Sequence, residues 1–318
     1  MNVIPEDAIS HQAKVSKRVL VIGANSYIGD NFAQYAQGRL RVDIIDSYED
    51  WKSAPFHEYD SVLMVAGLAH QKWSHKQQKA NKNMYFAINH DLAVAVAEKA
   101  KASGVGQFVY LSSMAVYGLD EGAITSSTKV APRDEDYYGQ SKYKAEVELA
   151  SLFETERARK SADMATDATA LCIVRPPMVY GPGCPGKFAA LLKVAKKLPL
   201  IPKVNNRRSM IFIDNLSEFL CLAIEQRISG TFNPQNKEYM NTTWLIKAAA
   251  KAMGKRVWVI PGFGIRCMKS FSASIKTAFG SLYYDEDMAV MPFDSNYQLV
   301  SSKESVARSI IENLPMVK

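Results

Sequence analysis

Arg18-Val19-Leu20-Val21-Ile22-Gly23-Ala24-Asn25-Ser26-Tyr27-Ile28-Gly29 reads as a strand, a glycine turn and the start of a helix in immediate succession. An apolar, β-favouring run ends at a glycine, and the pattern beyond it predicts a helix over 27–37. This order aims the amides of a helix N-terminus at a phosphate group. Gly23 suits the tight turn, and Gly29 lets the helix lie close to the strand. Between them, Ser26 stands where dinucleotide loops carry a third glycine, and its hydroxyl can cap the helix instead. Leu40-Arg41-Val42-Asp43-Ile44-Ile45-Asp46 is a second strand ending in an acid. Asp46 falls about twenty residues after the loop, where a carboxylate accepts hydrogen bonds from the adenosine ribose.

Strands and helices keep alternating as far as Arg175. Strands are predicted at 61–66, 107–111 and 168–175, and helices at 85–102 and 138–151. Alternation of this kind implies a parallel sheet covered on both faces. The expected fold is α/β, a Rossmann-type doubly wound parallel sheet with a smaller C-terminal substrate-binding lobe. The expected division is 17–180 for the dinucleotide-binding part and 181–318 for the lobe, with about 210–230 returning to the first part. Residues 1–16 read as a loose arm. Prolines and glycines crowd 176–186 at the crossing. Helices are predicted at 187–197, 214–226, 242–253 and 302–313. A basic amphipathic stretch at 265–282 carries Arg266, Lys269 and Lys276; it suits lobe packing, a membrane surface or a partner enzyme.

Tyr138-Gly139-Gln140-Ser141-Lys142 sets a phenol and an ammonium one helical turn apart, on one face. A nearby cation favours phenolate and is expected to lower the Tyr138 pKa toward neutrality, making Tyr138 a candidate acid and base. Gln107-Phe108-Val109-Tyr110-Leu111 is a buried-strand run followed by Ser112-Ser113. Ligands of parallel sheets sit at the carboxyl ends of strands, so Ser113 is placed to hydrogen-bond a substrate oxygen.

With these elements the chain resembles the extended short-chain dehydrogenase/reductases, the group of nucleotide-sugar epimerases, dehydratases and reductases. The resemblance runs from about Lys17 to at least Gly230. It is carried by the glycine loop, Asp46, Val65-Ala66-Gly67-Leu68-Ala69-His70, Asn89, Ser113, the Tyr138/Lys142 pair, Val174-Arg175-Pro176-Pro177-Met178-Val179-Tyr180-Gly181-Pro182 and Arg207-Arg208-Ser209-Met210-Ile211-Phe212-Ile213-Asp214. It implies an NAD cofactor, NADH rather than NADPH, held by Gly23, Asn25, Ser26, Tyr27, Ile28, Gly29, Asp46, Ala66, Gly67, Leu68, Tyr138, Lys142 and Pro176. It implies Ser113, Tyr138 and Lys142 as the catalytic group, Lys187 and Arg208 on the nucleotide sugar with Ser113, and a homodimer through the helices at 85–102 and 138–151.

Departures from the family pattern narrow the reaction. A 4,6-dehydratase places Asp-Glu directly after the serine or threonine, and here those positions are Met114 and Ala115, which transfer no proton. UDP-galactose 4-epimerases carry an Asn at the position of Met178. Ser113-Met114-Ala115-Val116-Tyr117-Gly118, Cys184-Pro185-Gly186-Lys187-Phe188, Leu198-Pro199-Leu200-Ile201-Pro202 and Asn205-Asn206-Arg207-Arg208-Ser209 look most like bacterial capsule and O-antigen enzymes. Those enzymes reduce UDP-4-keto-6-deoxy-N-acetylhexosamines to UDP-N-acetylfucosamine or UDP-N-acetylquinovosamine. The resemblance therefore implies such a reductase, with a UDP-hexose or UDP-N-acetylhexosamine 4-epimerase holding tightly bound NAD as the alternative. A non-catalytic nucleotide-binding protein on the same fold is a third reading, opposed by the intact Ser113, Tyr138 and Lys142.

Composition agrees with a soluble globular chain: 318 residues, 47% hydrophobic, 22% charged. The formal charge of +7 suits a polyanionic ligand. No dense Lys/Arg run with interleaved aromatics points to nucleic acid. Cys172, Cys184, Cys221 and Cys267 form no C-x-x-C pair, and the five histidines show no metal-ligand spacing. Reduced thiols, no metal and a cytoplasmic location are expected. No run approaches the roughly 18–20 apolar residues of a membrane span.

Overall fold

The computed structural model describes residues 16–47, 49–69, 73, 75–159, 168–261 and 279–311. Residues 1–15 of the predicted 1–16 arm, His70, Cys267 and most of the basic stretch at 265–282 lie outside them. In chain order the strands are β1 (Arg18–Ile22), β2 (Arg41–Ile45), β3 (Ser61–Met64), β4 (Gln107–Leu111), β5 (Gly122–Ile124), β6 (Ala170–Val174), β7 (Met178–Tyr180), β8 (Leu200–Pro202), β9 (Met210–Phe212), β10 (Gly230–Phe232), β11 (Trp258–Ile260) and β12 (Leu282–Tyr284). Six of them form one parallel sheet in the order β10-β6-β4-β3-β1-β2. Past their first residues, Arg18, Ser61 and Gln107, the strands β1, β3 and β4 are apolar because both of their faces are covered. Val19, Val21, Leu63, Val109 and Cys172 face one core with the Tyr27–Tyr35 and Ile213–Glu225 helices. Leu20, Val62, Phe108 and Tyr110 face the other, with the Leu92–Ala102 and Tyr137–Arg159 helices. The chain leaves β1 for β2 and then crosses to β3 on the opposite side, so the switch point that opens a ligand crevice lies between β1 and β3. One wing of the sheet is β2 alone. Its exposed Arg41 and Asp43 are the kind of charged side chains that discourage edge pairing.

A separate apolar cluster gathers Tyr180, Phe188, Ile201, Phe212, Leu245 and Ile310. Three small parallel ribbons, β7–β9, β8–β11 and β5–β12, frame this region beside the Lys187–Lys197, Thr242–Ala252 and Ser302–Ile311 helices. Two helices differ from expectation. The one at 85–102 starts earlier, as Lys82–Phe86, and is interrupted by a π-helical turn at Ala87–Asp91 before Leu92–Ala102. The one at 138–151 runs Tyr137–Arg159. Cys172, Cys184 and Cys221 are buried and free.

Candidate active site

The glycine loop crosses from β1 against the end of β3. Gly23 has φ of +129°, and a Cβ there would lie 2.8 Å from the Ala66 amide nitrogen. A Cβ on Gly29 would lie 2.6 Å from Ser26 Oγ. Only glycine passes at both points. Ser26 is the helix N-cap, its Oγ accepting from the Gly29 amide at 3.1 Å. Asn25 adopts the left-handed conformation at φ 62°, which short polar side chains tolerate. The Gly23 and Ala24 amides both donate to the Ile45 carbonyl at 3.0 Å, which ties the loop to the strand that delivers Asp46. This tight turn, capped and running into a helix N-terminus, fits a pyrophosphate. Gly23, Asn25, Ser26, Tyr27, Ile28 and Gly29 would hold it, Asp46 would meet the ribose, and Ala66, Gly67 and Leu68 at the end of β3 would line the nicotinamide side.

Ser113 leaves the end of β4 in extended backbone and opens the short Met114–Tyr117 turn, its Oγ accepting from the Ala115 amide at 3.2 Å. The Met114 amide donates to the Pro176 carbonyl at 3.0 Å, which binds this turn to the end of β6. Asp136 caps the Tyr137–Arg159 helix, accepting from the Gly139 amide at 3.1 Å. That cap directs Tyr138 toward Ser113, and the two hydroxyls are hydrogen-bonded. One turn on, Lys142 is buried; its Nζ donates to the Leu111 carbonyl at 2.9 Å and lies 4.8 Å from the centre of the Tyr110 ring. A Cβ on Gly67 would come within 3.0 Å of the same Nζ, so Lys142 reaches the end of β3. The three candidates thus converge.

The protonation states differ from expectation. Burial pushes the Tyr138 phenol up to about 12, opposed by the Ser113 hydrogen bond and reinforced by Asp136. Burial pushes Lys142 down to about 7, opposed by Glu146. The expected depression of Tyr138 by Lys142 does not occur. The ammonium is turned to the Leu111 carbonyl, and the enclosure that raises the phenol also weakens the lysine charge. Near neutral pH, Tyr138 is therefore a phenol, a proton donor.

Across the crevice, Arg208 is buried beside β9, its Nη1 donating to the Gly280 carbonyl at 3.0 Å. Burial lowers its pKa, and Glu121 opposes this. Lys187 opens the Lys187–Lys197 helix; desolvation in the crevice lowers its pKa first, and the Arg208 charge adds to that. Two cations close enough to repel each other fit a ligand carrying several negative charges. Met178, at the start of β7, packs against the apolar cluster of this lobe and supplies no polar group.

Asn89 and Glu146 hold the site without having been assigned to it from sequence. Asn89, fully buried in the π-helical turn, accepts from the Leu68 amide at 2.7 Å and donates to the Leu68 carbonyl at 3.2 Å. It also donates to Ser141 Oγ at 3.0 Å, joining the β3 loop to the Tyr138 helix. Glu146 binds Arg175 through both carboxylate oxygens, at 3.0 and 2.6 Å. The visible signal for Glu146 was its spacing, one turn beyond Lys142.

The sequence profile of the NAD dependent epimerase/dehydratase family matches residues 19–233. A UDP-glucose 4-epimerase of Vibrio cholerae is 31% identical over 286 residues, covering 81% of this chain and 82% of the relative. The chain belongs to that family. It is a nicotinamide-dependent enzyme of the epimerase/dehydratase type. An N-acetyl-alpha-D-glucosaminyl-diphospho-ditrans,octacis-undecaprenol 4-epimerase of Escherichia coli O157:H7 is 22% identical, over 76% of this chain and 74% of the relative. Among solved structures, a dTDP-4-dehydrorhamnose reductase from Bacillus anthracis in complex with NADP superposes with a TM-score of 0.66 at 18% identity, over 93% of this chain and 99% of that one. At that identity the likeness speaks for the fold alone.

Proposed function

We propose that this enzyme reduces the 4-keto group of a UDP-2-acetamido-2,6-dideoxy-hexos-4-ulose, giving UDP-N-acetylfucosamine or UDP-N-acetylquinovosamine for bacterial surface polysaccharide. The observation that carries the reading is the half-buried Ser113–Tyr138 hydroxyl pair, with the phenol kept protonated, on the same crevice as Lys187 and Arg208. Ser113 holds the ketone oxygen. Tyr138 gives its proton to that oxygen as it becomes a hydroxyl. A nicotinamide held in this crevice would supply the hydride for C4. Lys142 would bond the nicotinamide ribose, Pro176 and Gly67 would border the ring, and Lys187 and Arg208 would hold the diphosphate of the nucleotide sugar. Met114 and Ala115 give no acid or base for dehydration, and Met178 is spent on packing. Exposed Met84 and Val147 on the two helices of the expected dimer suit a homodimer face.

Epimerisation at C4 is the second reading, favoured by the 31% identity to a UDP-glucose 4-epimerase over most of both chains. The two separate on cofactor stoichiometry. A reductase oxidises one NADH per UDP-4-keto sugar, followed by absorbance, and gives no such signal with UDP-glucose or UDP-N-acetylglucosamine. Interconversion of UDP-N-acetylglucosamine and UDP-N-acetylgalactosamine without added cofactor would replace the first reading by the second.

NADH is the expected coenzyme. Asp46 sits at the carboxyl end of β2, one residue past the Ile22–Ile45 pair, where a 2′-phosphate would meet a carboxylate. Arg18 and Arg41 pair at the other end of these strands, and Arg18 is engaged by Glu58 at 2.8 Å and Asp43 at 3.3 Å. Neither serves a phosphate there. Juxtaposed like charges cost on the order of several kcal/mol, so kcat/KM should favour NADH by about tenfold or more. A preference for NADPH would remove Asp46 from the ribose site.

A further inference from the structure

The outer face of the β8–β11 ribbon is apolar and open. Leu200 pairs with Trp258 and Pro202 with Ile260, so these four share one face, joined by Leu198 two positions before Leu200. The other face carries Ile201, buried in the lobe's cluster, and its partner Val259, which is 38% exposed. Trp258 is 68% exposed, Leu200 52%, Leu198 48% and Ile260 44%. Large apolar side chains clustered this way on a surface mark a contact site.

Charge surrounds the patch. The segments 193–203 and 244–260 carry eight basic residues and no acidic one, against +7 for the whole chain. The protein's excess positive charge is therefore concentrated here. Lys196 and Lys197 directly precede Leu198, Lys203 follows Pro202, and Lys255 and Arg256 precede Trp258, all of them exposed. The neighbouring Thr242–Ala252 helix, which packs on the Lys187–Lys197 helix, shows Trp244, Lys247 and Lys251 as one exposed stripe.

We infer that this face docks peripherally on an anionic lipid bilayer. Aliphatic side chains and tryptophans ringed by lysines and an arginine, with no acid among them, match the acyl and headgroup layers of such a surface. No described helix is long and apolar enough to cross a membrane, so the contact is interfacial.

The test is flotation of the full chain with vesicles of phosphatidylethanolamine and phosphatidylglycerol, using phosphatidylcholine vesicles as the uncharged control. Binding is expected to the anionic vesicles and to weaken with salt. The double variant Trp258→Ser/Leu200→Ser should lower partitioning about tenfold or more while keeping Tm, since both side chains are exposed. Lys196→Glu/Lys197→Glu should lower it by about fivefold or more per site. No enrichment on anionic vesicles, or enrichment untouched by the serine variant, would overturn the inference. So would light scattering in which the serine variant only changes the oligomeric state, or stronger retention on single-stranded oligonucleotide than on vesicles. Vesicle binding needs no substrate, so the surface stands or falls apart from the reaction proposed above.

Discussion

Replacing Tyr138 by Phe is expected to lower turnover by about two to four orders of magnitude, the usual weight of one general acid. Affinity for the nucleotide sugar should change little, because Lys187 and Arg208 lie across the crevice from the lost hydroxyl. Ser113 keeps its bond from the Ala115 amide and stays in place. Titration calorimetry for binding and steady-state kcat for turnover separate the two effects. The pH profile adds a sign. A tyrosine lowered toward neutrality would be phenolate by pH about 8, and reduction would slow above that. With the phenol pushed up to about 12, the proton stays available, and kcat for reduction should show no fall due to this group up to pH about 10. A Phe variant with near-normal turnover would sink the assignment of Tyr138 as proton donor. An alkaline fall near pH 8 in the wild type that vanishes in the variant would restore the lysine-depressed tyrosine expected from sequence.

That expectation shows where sequence stops being legible. The i, i+4 spacing put Tyr138 and Lys142 on one helix face, and the strand end at Leu111 put Ser113 near a ligand crevice. Neither gave a measure of enclosure, and enclosure decides both protonation states. The strand–loop–helix at 18–29 was fully readable because hydrophobic period, glycine placement and capping residue all agree locally. Ser26 could be read as a cap from its position alone. The π-helical turn at Ala87–Asp91 could not, since it answers to tertiary bonds: the Asn89 carbonyl accepts from the Tyr110 hydroxyl at 2.9 Å, and its side chain spans to Leu68 and Ser141. The last turns of the Tyr137–Arg159 helix were missed because Glu154-Thr155-Glu156-Arg157-Ala158-Arg159 is polar all round and carries no period. Arg208 and Lys187 were expected from the resemblance. That they act on one another emerged only once the chain was folded.

Glu146→Ala is expected to destabilise the fold by about 3–5 kcal/mol, the cost of leaving a buried charge without its partner. The Glu146 side chain is 4% exposed and that of Arg175 12%, and two hydrogen bonds join them. Arg175 also donates to the Tyr117 hydroxyl at 2.9 Å, and its carbonyl accepts from the Tyr284 hydroxyl at 2.8 Å. The pair therefore links the Tyr138 helix, the end of β6 and the β12 ribbon. Calorimetry should record a fall in Tm of roughly 5–10 °C. A second effect follows at Lys142, whose pKa Glu146 raises against burial. Without that carboxylate the lysine pKa drops further below its value of about 7, and the ammonium is lost at lower pH. Coenzyme affinity that depends on the charged lysine should then fall off from a lower pH in the variant. Glu146→Gln separates the two effects: it keeps oxygen and nitrogen near Arg175 and should lose less stability, yet it removes the same charge and should shift the pH dependence as far. Glu146→Ala/Arg175→Met removes both charges and should recover much of the stability without restoring the pH dependence. An Ala variant that melts with the wild type would show that the pair is dispensable to the fold. A Gln variant with unaltered pH dependence would show that Glu146 does not govern Lys142.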